Sequence, residues 1–339
     1  MDGGGGEDDD PPGGCIQGDF SPFFGNLHAH TSYSDGEGRP EEAFRHARDV
    51  AGLDIMFVTD HLEQLWLGLI LDRWQDCRDA ADEANEDGSY LAGCGFEYGS
   101  AFEWFQSTGH NNVFFEDRLF PAIQLNFHDF YRSIVLCDDC IGQFNHPGDD
   151  PAQHWHGFEY YPDADPRMNL FELNGSGPTW QMLFQALDAG WHLSPTNNQD
   201  NHSADWGSKN SRRTGFYLAE LTREALHAAM RSRRSFATMD ADATLRLMAG
   251  SVCWMGSILT GAGDLLLEAE AEDATEEDGF ATLELFGPGA TLLAAFDCAG
   301  QARCLASRQL VVDRPTYVVA RATQRDGDWL VSAPIWVKP

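Results

Sequence analysis

Five apolar stretches of this chain stop at side chains able to bind a metal. "LDIMFVTDH" ends in Thr59, Asp60 and His61, "LAGCGFEYG" carries Glu97, and "CIGQFNHPGDD" carries His146; "MNLFELNGSG" carries Glu172 and "HLSPTNNQDNHS" carries Asp200 and His202. A near-continuous apolar run marks a strand buried on both faces, as in a parallel sheet covered by helices. Helical patterns separate the runs. In "PEEAFRHARDV", Pro40 suits a first turn, Glu41 and Glu42 sit at the positive end of the dipole, and Ala43, Phe44, Ala47 and Val50 form an apolar stripe that Gly52 closes. Residues 68 to 87 and 178 to 190 read as further helices. Strands alternating with helices, with polar groups at the strands' C-terminal ends, predict an α/β fold of the (βα) barrel kind with its site at that mouth.

The stretch "NLHAHTSYSDG" at 26 to 36 adds two imidazoles. Side chains at i and i+2 of a strand leave the same face, so His28 and His30 are expected to converge on one metal. From about residue 240 the texture changes to short alternating strands separated by glycine- and acid-rich turns, such as "DLLLEAEAE" and "TYVVARATQ". An all-β sandwich over 241 to 339 is expected, packed on a barrel over 19 to 240. The β portion holds no histidine and is a poor home for the chemistry.

The charge narrows the partners. With 22 basic against 54 acidic residues the formal net charge is −32, which repels nucleic acid and anionic membrane surfaces, so no nucleic acid is expected. Only Lys209 and Lys338 are lysines. No run of 18 apolar residues exists to span a bilayer. Residues 1 to 18, beginning "MDGGGGEDDDPPGG", read as a flexible tether that is dispensable for stability. Such tethers follow export signals or lipidated cysteines, which favours an exported or surface-anchored bacterial protein with a lipid anchor upstream. In that setting Cys298 and Cys304 are expected to form a disulfide across a hairpin. Cys137 and Cys140 form a CxxC open to a disulfide, a redox pair or half a zinc site, whereas Cys77, Cys94 and Cys253 read as free buried thiols.

In order along the chain, "NLHAHTSYSDG", "AGLDIMFVTDH", the glutamate of "CGFEYG", "GHNN", "FNHPG" and "DNH" resemble the motifs of the PHP (polymerase and histidinol phosphatase) superfamily. The later "SRRTGFYLAELTREALHAAMRSRRSFAT", "WMGS", "LELFG" and "SAPIWV" are similar to the CehA/McbA group of metallohydrolases, so the resemblance spans roughly 19 to 339. It implies a distorted seven-stranded (βα) barrel holding two or three divalent metals, zinc, manganese or iron. One metal would take His28, His30, Glu97 and Asp200; a second would share Glu97 and add His110 and His146; a third would take Asp35, His61 and His202. Asp35 departs from relatives that carry histidine there.

Paired metals acidify a bridging water and polarise the scissile oxygen, so the implied reaction is hydrolysis by a metal-bridging hydroxide, with Glu97, Asp200 and His202 as catalytic residues. Arg212, Arg213 and His156 are the candidates for contacting substrate, and Glu172 for orienting a ligand histidine. The CehA/McbA likeness and the aromatic residues of "AFEWF", Trp155, Trp180 and Trp206 favour a small carbamate or carboxyl ester; the wider superfamily suggests a phosphoester. A non-catalytic surface binding module is the reading from another class.

Overall fold

The computed structural model describes residues 14–67, 72–99, 109–121, 127–148, 155–174, 179–275 and 278–339. "AFEWF", His154 and the first thirteen residues lie outside them. The first half alternates as expected: β1 (Ser21–Asn26), α1 (Pro40–Asp49), β2 (Ile55–Val58), α2 (Leu62–Leu67), α3 (Arg73–Ala84), β3 (Leu91–Cys94), β4 (Phe96–Tyr98), β5 (Asn111–Phe114), α4 (Phe127–Val135) and β6 (Ile141–Phe144). There follow α5 (Trp155–Phe158), β7 (Met168–Glu172), α6 (Thr179–Ala189), β8 (Ser194–Thr196), β9 (Arg213–Leu218), α7 (Arg223–Arg231) and β10 (Ser235–Thr238). The remainder is β-rich: β11 (Thr244–Ala249), β12 (Cys253–Trp254), β13 (Ile258–Thr260), β14 (Leu265–Glu272), β15 (Phe280–Gly287), β16 (Thr291–Gln301), β17 (Arg303–Leu310), β18 (Thr316–Gln324), β19 (Trp329–Ser332) and β20 (Ile335–Lys338). No helix among the described residues is long and apolar enough to cross a membrane.

The strands expected to form one barrel are divided between two hydrogen-bonded sheets. β1, β2 and β3 run parallel in an eleven-stranded sheet, and β4 to β8 form a five-stranded one. Isolated parallel bridges, His61 with Glu97 and Ala29 with Asn201, join the two at the level of the polar strand ends. Between the sheets the interior is layered. Leu27, Ile55, Phe57, Leu91, Phe114, Ile141, Leu170 and Phe216 fill the base, and α7 closes it from below with Leu226, Ala229 and Met230.

Above this lies a buried amide layer. Thr196 Oγ1 donates to Gln143 Oε1 at 2.9 Å, Gln143 Nε2 donates to Asn145 Oδ1 at 2.9 Å, and Thr214 Oγ1 donates to Asn198 Oδ1 at 3.0 Å. Each amide is satisfied only in one arrangement, so the layer fixes the strand ends above it.

The β-rich portion is not a detached sandwich. β10 pairs with β9 on one edge and with β19 on the other, in register Phe236 to Ser332, Ala237 to Val331 and Thr238 to Leu330. The large sheet therefore runs through both portions, while β12, β11, β14 and β17 form a smaller sheet over a second core.

All eight cysteines are paired. Cys298–Cys304 is present, and Cys137 and Cys140 bond each other, which leaves no thiolate there for zinc. Cys77 and Cys94 tie α3 to β3, and Cys253 bonds Cys15, so these three are not the free buried thiols expected from their apolar surroundings. The tether reading also fails for residues 14 to 18. Besides the Cys15 disulfide, Ile16 N donates to Ser257 Oγ at 2.9 Å and Trp254 Nε1 donates to Gly18 O at 3.1 Å. A link across 238 residues of separation removes much freedom from the unfolded chain. Cys15→Ser, or a chain starting at Asp19, is expected to lose about 2–4 kcal/mol in denaturant unfolding under non-reducing conditions. An unchanged midpoint for both would show that this segment contributes nothing.

Candidate metal centre

The nine sequence-selected side chains converge. His28 and His30 follow β1, Asp35 lies in the next turn, His61 follows β2, Glu97 lies in β4, His110 precedes β5, His146 follows β6, and Asp200 and His202 follow β8. His28 Nε2 and His30 Nε2 lie 3.3 Å apart. His28 Nε2 is 3.3 Å from both Glu97 Oε1 and Asp200 Oδ1; His30 Nε2 is 3.2 Å from Glu97 Oε2 and 3.3 Å from Asp200 Oδ1. The same Oε1 also meets His110 Nδ1 and His146 Nε2 at 3.1 and 3.2 Å, while Oε2 meets His61 Nδ1 at 3.4 Å. Asp35 Oδ2 faces His61 Nε2 at 3.6 Å and His202 Nε2 at 3.4 Å, with His30 completing that group.

Local conformation delivers these groups. His146 and Asp200 both adopt positive φ, 29° and 48°, a region that costs a non-glycine residue about 1–3 kcal/mol and turns each side chain inward from its strand end. Gly36 is required for space: a Cβ there would lie 2.6 Å from the carbonyl carbon of His30. Glu172 holds the far side of His28, with both carboxylate oxygens 3.2 Å from Nδ1, and its Oε2 accepts the His146 backbone N–H at 2.8 Å. One buried carboxylate thus orients two imidazole-bearing strand ends, the supporting role expected of it.

Residues not expected to act as ligands complete the frame. Asp60 is buried and accepts Thr31 N at 2.7 Å, Thr31 Oγ1 at 2.6 Å and Ser34 Oγ at 2.5 Å, which pins the loop carrying Asp35. Its signal was the hydroxyl run of "HTSYSD" opposite a strand-end aspartate. Asn145 Nδ2 donates to Glu97 Oε1 at 2.8 Å, Asn198 Nδ2 to Glu172 Oε1 at 2.9 Å, and Trp206 Nε1 to His30 O at 2.9 Å.

The donor set fits divalent cations. Asp200 Oδ1 and His61 Nδ1 are buried without a well-formed hydrogen bond, the first 3.3 Å from His28 Nε2 and His30 Nε2, the second 3.4 Å from Glu97 Oε2. The field also demands positive charge. Burial pulls His28 and His30 down, but Asp200, Glu172 and Glu97 outweigh it, holding His28 well above its ordinary value and His30 at about 9. Burial opposes ionisation of Glu97 and Asp200, yet the facing imidazoles hold both carboxyls well below the usual range. His61 is pushed down, mainly by burial. Imidazole and carboxylate without thiolate suit zinc, manganese or iron.

The candidate substrate contacts separate. Arg213 is buried in β9 and donates to Asn210 O and Arg212 O, so its guanidinium closes a loop. Arg212 is half-buried at the rim and donates to Asn174 Oδ1, two residues beyond Glu172. His156 is exposed on α5, a left-handed turn. Trp155 and Trp206 are 0% and 2% exposed and belong to the core, not to an open aromatic pocket.

No family model and no curated protein matches this sequence. Among solved structures, a two-domain protein from Bacteroides vulgatus containing a predicted PHP-like metal-dependent phosphoesterase aligns over 99% of this chain and 100% of its own, at 16% identity and TM-score 0.54. PsfC from Pseudomonas syringae aligns over 63% of this chain and 90% of its own at 15% identity and TM-score 0.43; the lesion-specific endonuclease PfuEndoQ from Pyrococcus furiosus covers 62% and 56% at 16% and 0.46. The likeness to the first is one of fold, and it runs the length of both chains.

The imidazole shifts give a pH test. A histidine raised in the folded state adds stability that is complete below its unfolded value near 6.5 and is lost as pH rises through about 9. Metal-stripped protein is therefore expected to lose melting temperature between about pH 7 and 9, and added zinc or manganese to flatten the fall, since the ions replace the protons. A flat profile for stripped protein would contradict this electrostatic description.

Proposed function

We propose that this protein is a metal-dependent hydrolase of the PHP type, a distorted (βα) barrel cleaving an ester bond with two or three divalent ions at its mouth. The observation that carries it is the convergence of the nine nitrogen- and oxygen-bearing side chains around Glu97. Divalent ions held there acidify water and polarise an ester oxygen. Glu97 is the carboxylate shared between clusters, its Oε1 meeting His28, His110 and His146 and its Oε2 meeting His30 and His61. Glu172 keeps the proton of His28 on Nδ1, so that Nε2 presents its lone pair to the site. Asp200 directs Oδ1 at both His28 and His30, while His202, with 41% of its side chain exposed, is the imidazole best placed to meet substrate.

Among esters, the rim favours a phosphoester over the carbamate or carboxyl ester. Of the tryptophans that argued for an apolar pocket, Trp155 and Trp206 are buried while Trp180 is half-buried, and two cations stand beside the strand ends: Arg212 on Asn174, and Lys209, whose Nζ lies 3.4 Å from Gln199 O and 3.5 Å from Asp200 O. A phosphoryl group needs such charges and a neutral ester does not. Four disulfides support the exported location.

Chelation is expected to abolish turnover of chromogenic esters, with recovery on adding manganese or zinc. His30→Ala and Glu97→Gln should each lose metal and activity, and Glu172→Gln about 10–100-fold in metal affinity or rate. Equal hydrolysis by chelated and metal-loaded protein ends the proposal. Arg212→Ala should raise KM for phosphoesters only; turnover confined to carboxyl or carbamate esters instead reverses the choice of substrate.

A further inference from the structure

Beside the mouth, the seam between the two portions opens into a cavity of about 290 Å³. Leu173 beyond β7 and Thr179 and Trp180 at the start of α6 form one wall; Arg321 of β18 with Trp329 and Val331 of β19 forms the other. Two connections place it at the level of the strand ends. Leu173 stands between Glu172, which holds His28, and Asn174, which holds Arg212. At the exit of β8, Asn197 Nδ2 donates to Thr238 O at 2.8 Å, and the next residue, Met239, donates its N–H to Trp329 O at 3.0 Å.

Arg321 is the charged group in this cavity, and the chain gives it no counter-charge. Its half-buried guanidinium stands over the Trp180 ring, 5.3 Å from the centroid, and makes no hydrogen bond or ion pair among the described residues. Glu284 lies directly opposite on β15, within reach for an ion pair, yet the pair is not formed. The chain has 54 acidic residues, but none among the described residues lines this cavity. A fork of N–H donors held against an indole face thus opens on a small space that lacks an acceptor of opposite charge.

The chemistry narrows what fills it. A planar guanidinium fork matches the two oxygens of a carboxylate, and one arginine balances one negative charge. The volume lies at the lower bound for pockets that enclose a whole ligand, so it suits one end of a substrate rather than all of it. Trp180 and Trp329, both half-buried, offer apolar surface to the carbon chain of such an end.

We propose that this cavity is a subsite for a carboxylate carried by the alcohol portion of the substrate. Arg321 pairs with the carboxylate, Trp180 and Trp329 flank the chain leading to it, and the phosphoryl group lies at the mouth, so that the β-rich portion sets specificity. This rests on the phosphoester reading above.

The test compares a series of ω-phosphooxyalkanoates with n-alkyl phosphates of equal length on the full, metal-loaded chain. The carboxylated ester of best length is expected to be preferred about 10–100-fold in kcat/KM, mostly through KM, and Arg321→Ala to lose that preference. Arg321→Lys, which keeps the charge without the fork, should retain only part of it. Calorimetry with the uncleavable ω-phosphonoalkanoates reads binding apart from turnover: they should bind more tightly than plain alkylphosphonates by the same factor, and Arg321→Ala should close the gap. Arg321-dependent binding without turnover of any ester keeps the subsite and ends the hydrolase reading. Turnover of both ester series at equal kcat/KM, with equal binding of both phosphonate series, overturns the subsite and leaves the hydrolase standing. Neither turnover nor binding overturns both. A preference that survives Arg321→Ala overturns the subsite, as does a stronger preference for alkanediol bisphosphates, which would assign the cavity to a second phosphate.

Discussion

Glu97 is an ion buried among imidazoles, and the architecture of the mouth follows from keeping it there. A carboxylate with 1% exposure is costly to bury alone, and its neighbours meet that cost from three directions: His28 and His30 beyond β1, His110 before β5, and His146 beyond β6. Asn145 adds a neutral donor from below at 2.8 Å. The partners hang from three different strands, so the strand ends must meet within one carboxylate's reach. The bridge between His61 and Glu97 that joins the two sheets lies at this same residue.

The layers beneath have distinct tasks. The apolar base supplies the cohesion, since burying side chains such as Phe57, Phe114 and Phe216 contributes roughly 1.5–3 kcal/mol each. The amide layer contributes direction: Asn198 accepts from Leu27 N and Thr214 Oγ1 while donating to Glu172, which in turn orients His28. Strain at His146 and Asp200 is tolerable because both are held from several sides.

The strand-end ligands were legible because periodicity and chemistry coincide there. An apolar run names a buried strand, and a histidine or acid at its end has few structural uses. The buried asparagines carry no periodic signal, and Asp60, visible at its strand end, shows its loop-pinning role only once the strands are side by side. Cys15 was hidden for a different reason. Its partner is 238 residues away, and the polar, glycine-rich stretch before it reads as unstructured. The tryptophans misled because ring size makes Trp155 and Trp206 equally suited to a pocket or a core, and depth alone decides. The continuous sheet was illegible too, since a change of texture near residue 240 marks where composition shifts, not where hydrogen bonding stops.

That continuity governs how the molecule moves. A pair of domains joined by a linker can hinge, opening and closing a cleft around a ligand. Here β9, β10 and β19 share one ladder through the junction, and swinging one portion against the other would shear the register at Phe236, Ala237 and Thr238. The β-rich portion is therefore held in fixed register against the first half through this shared ladder.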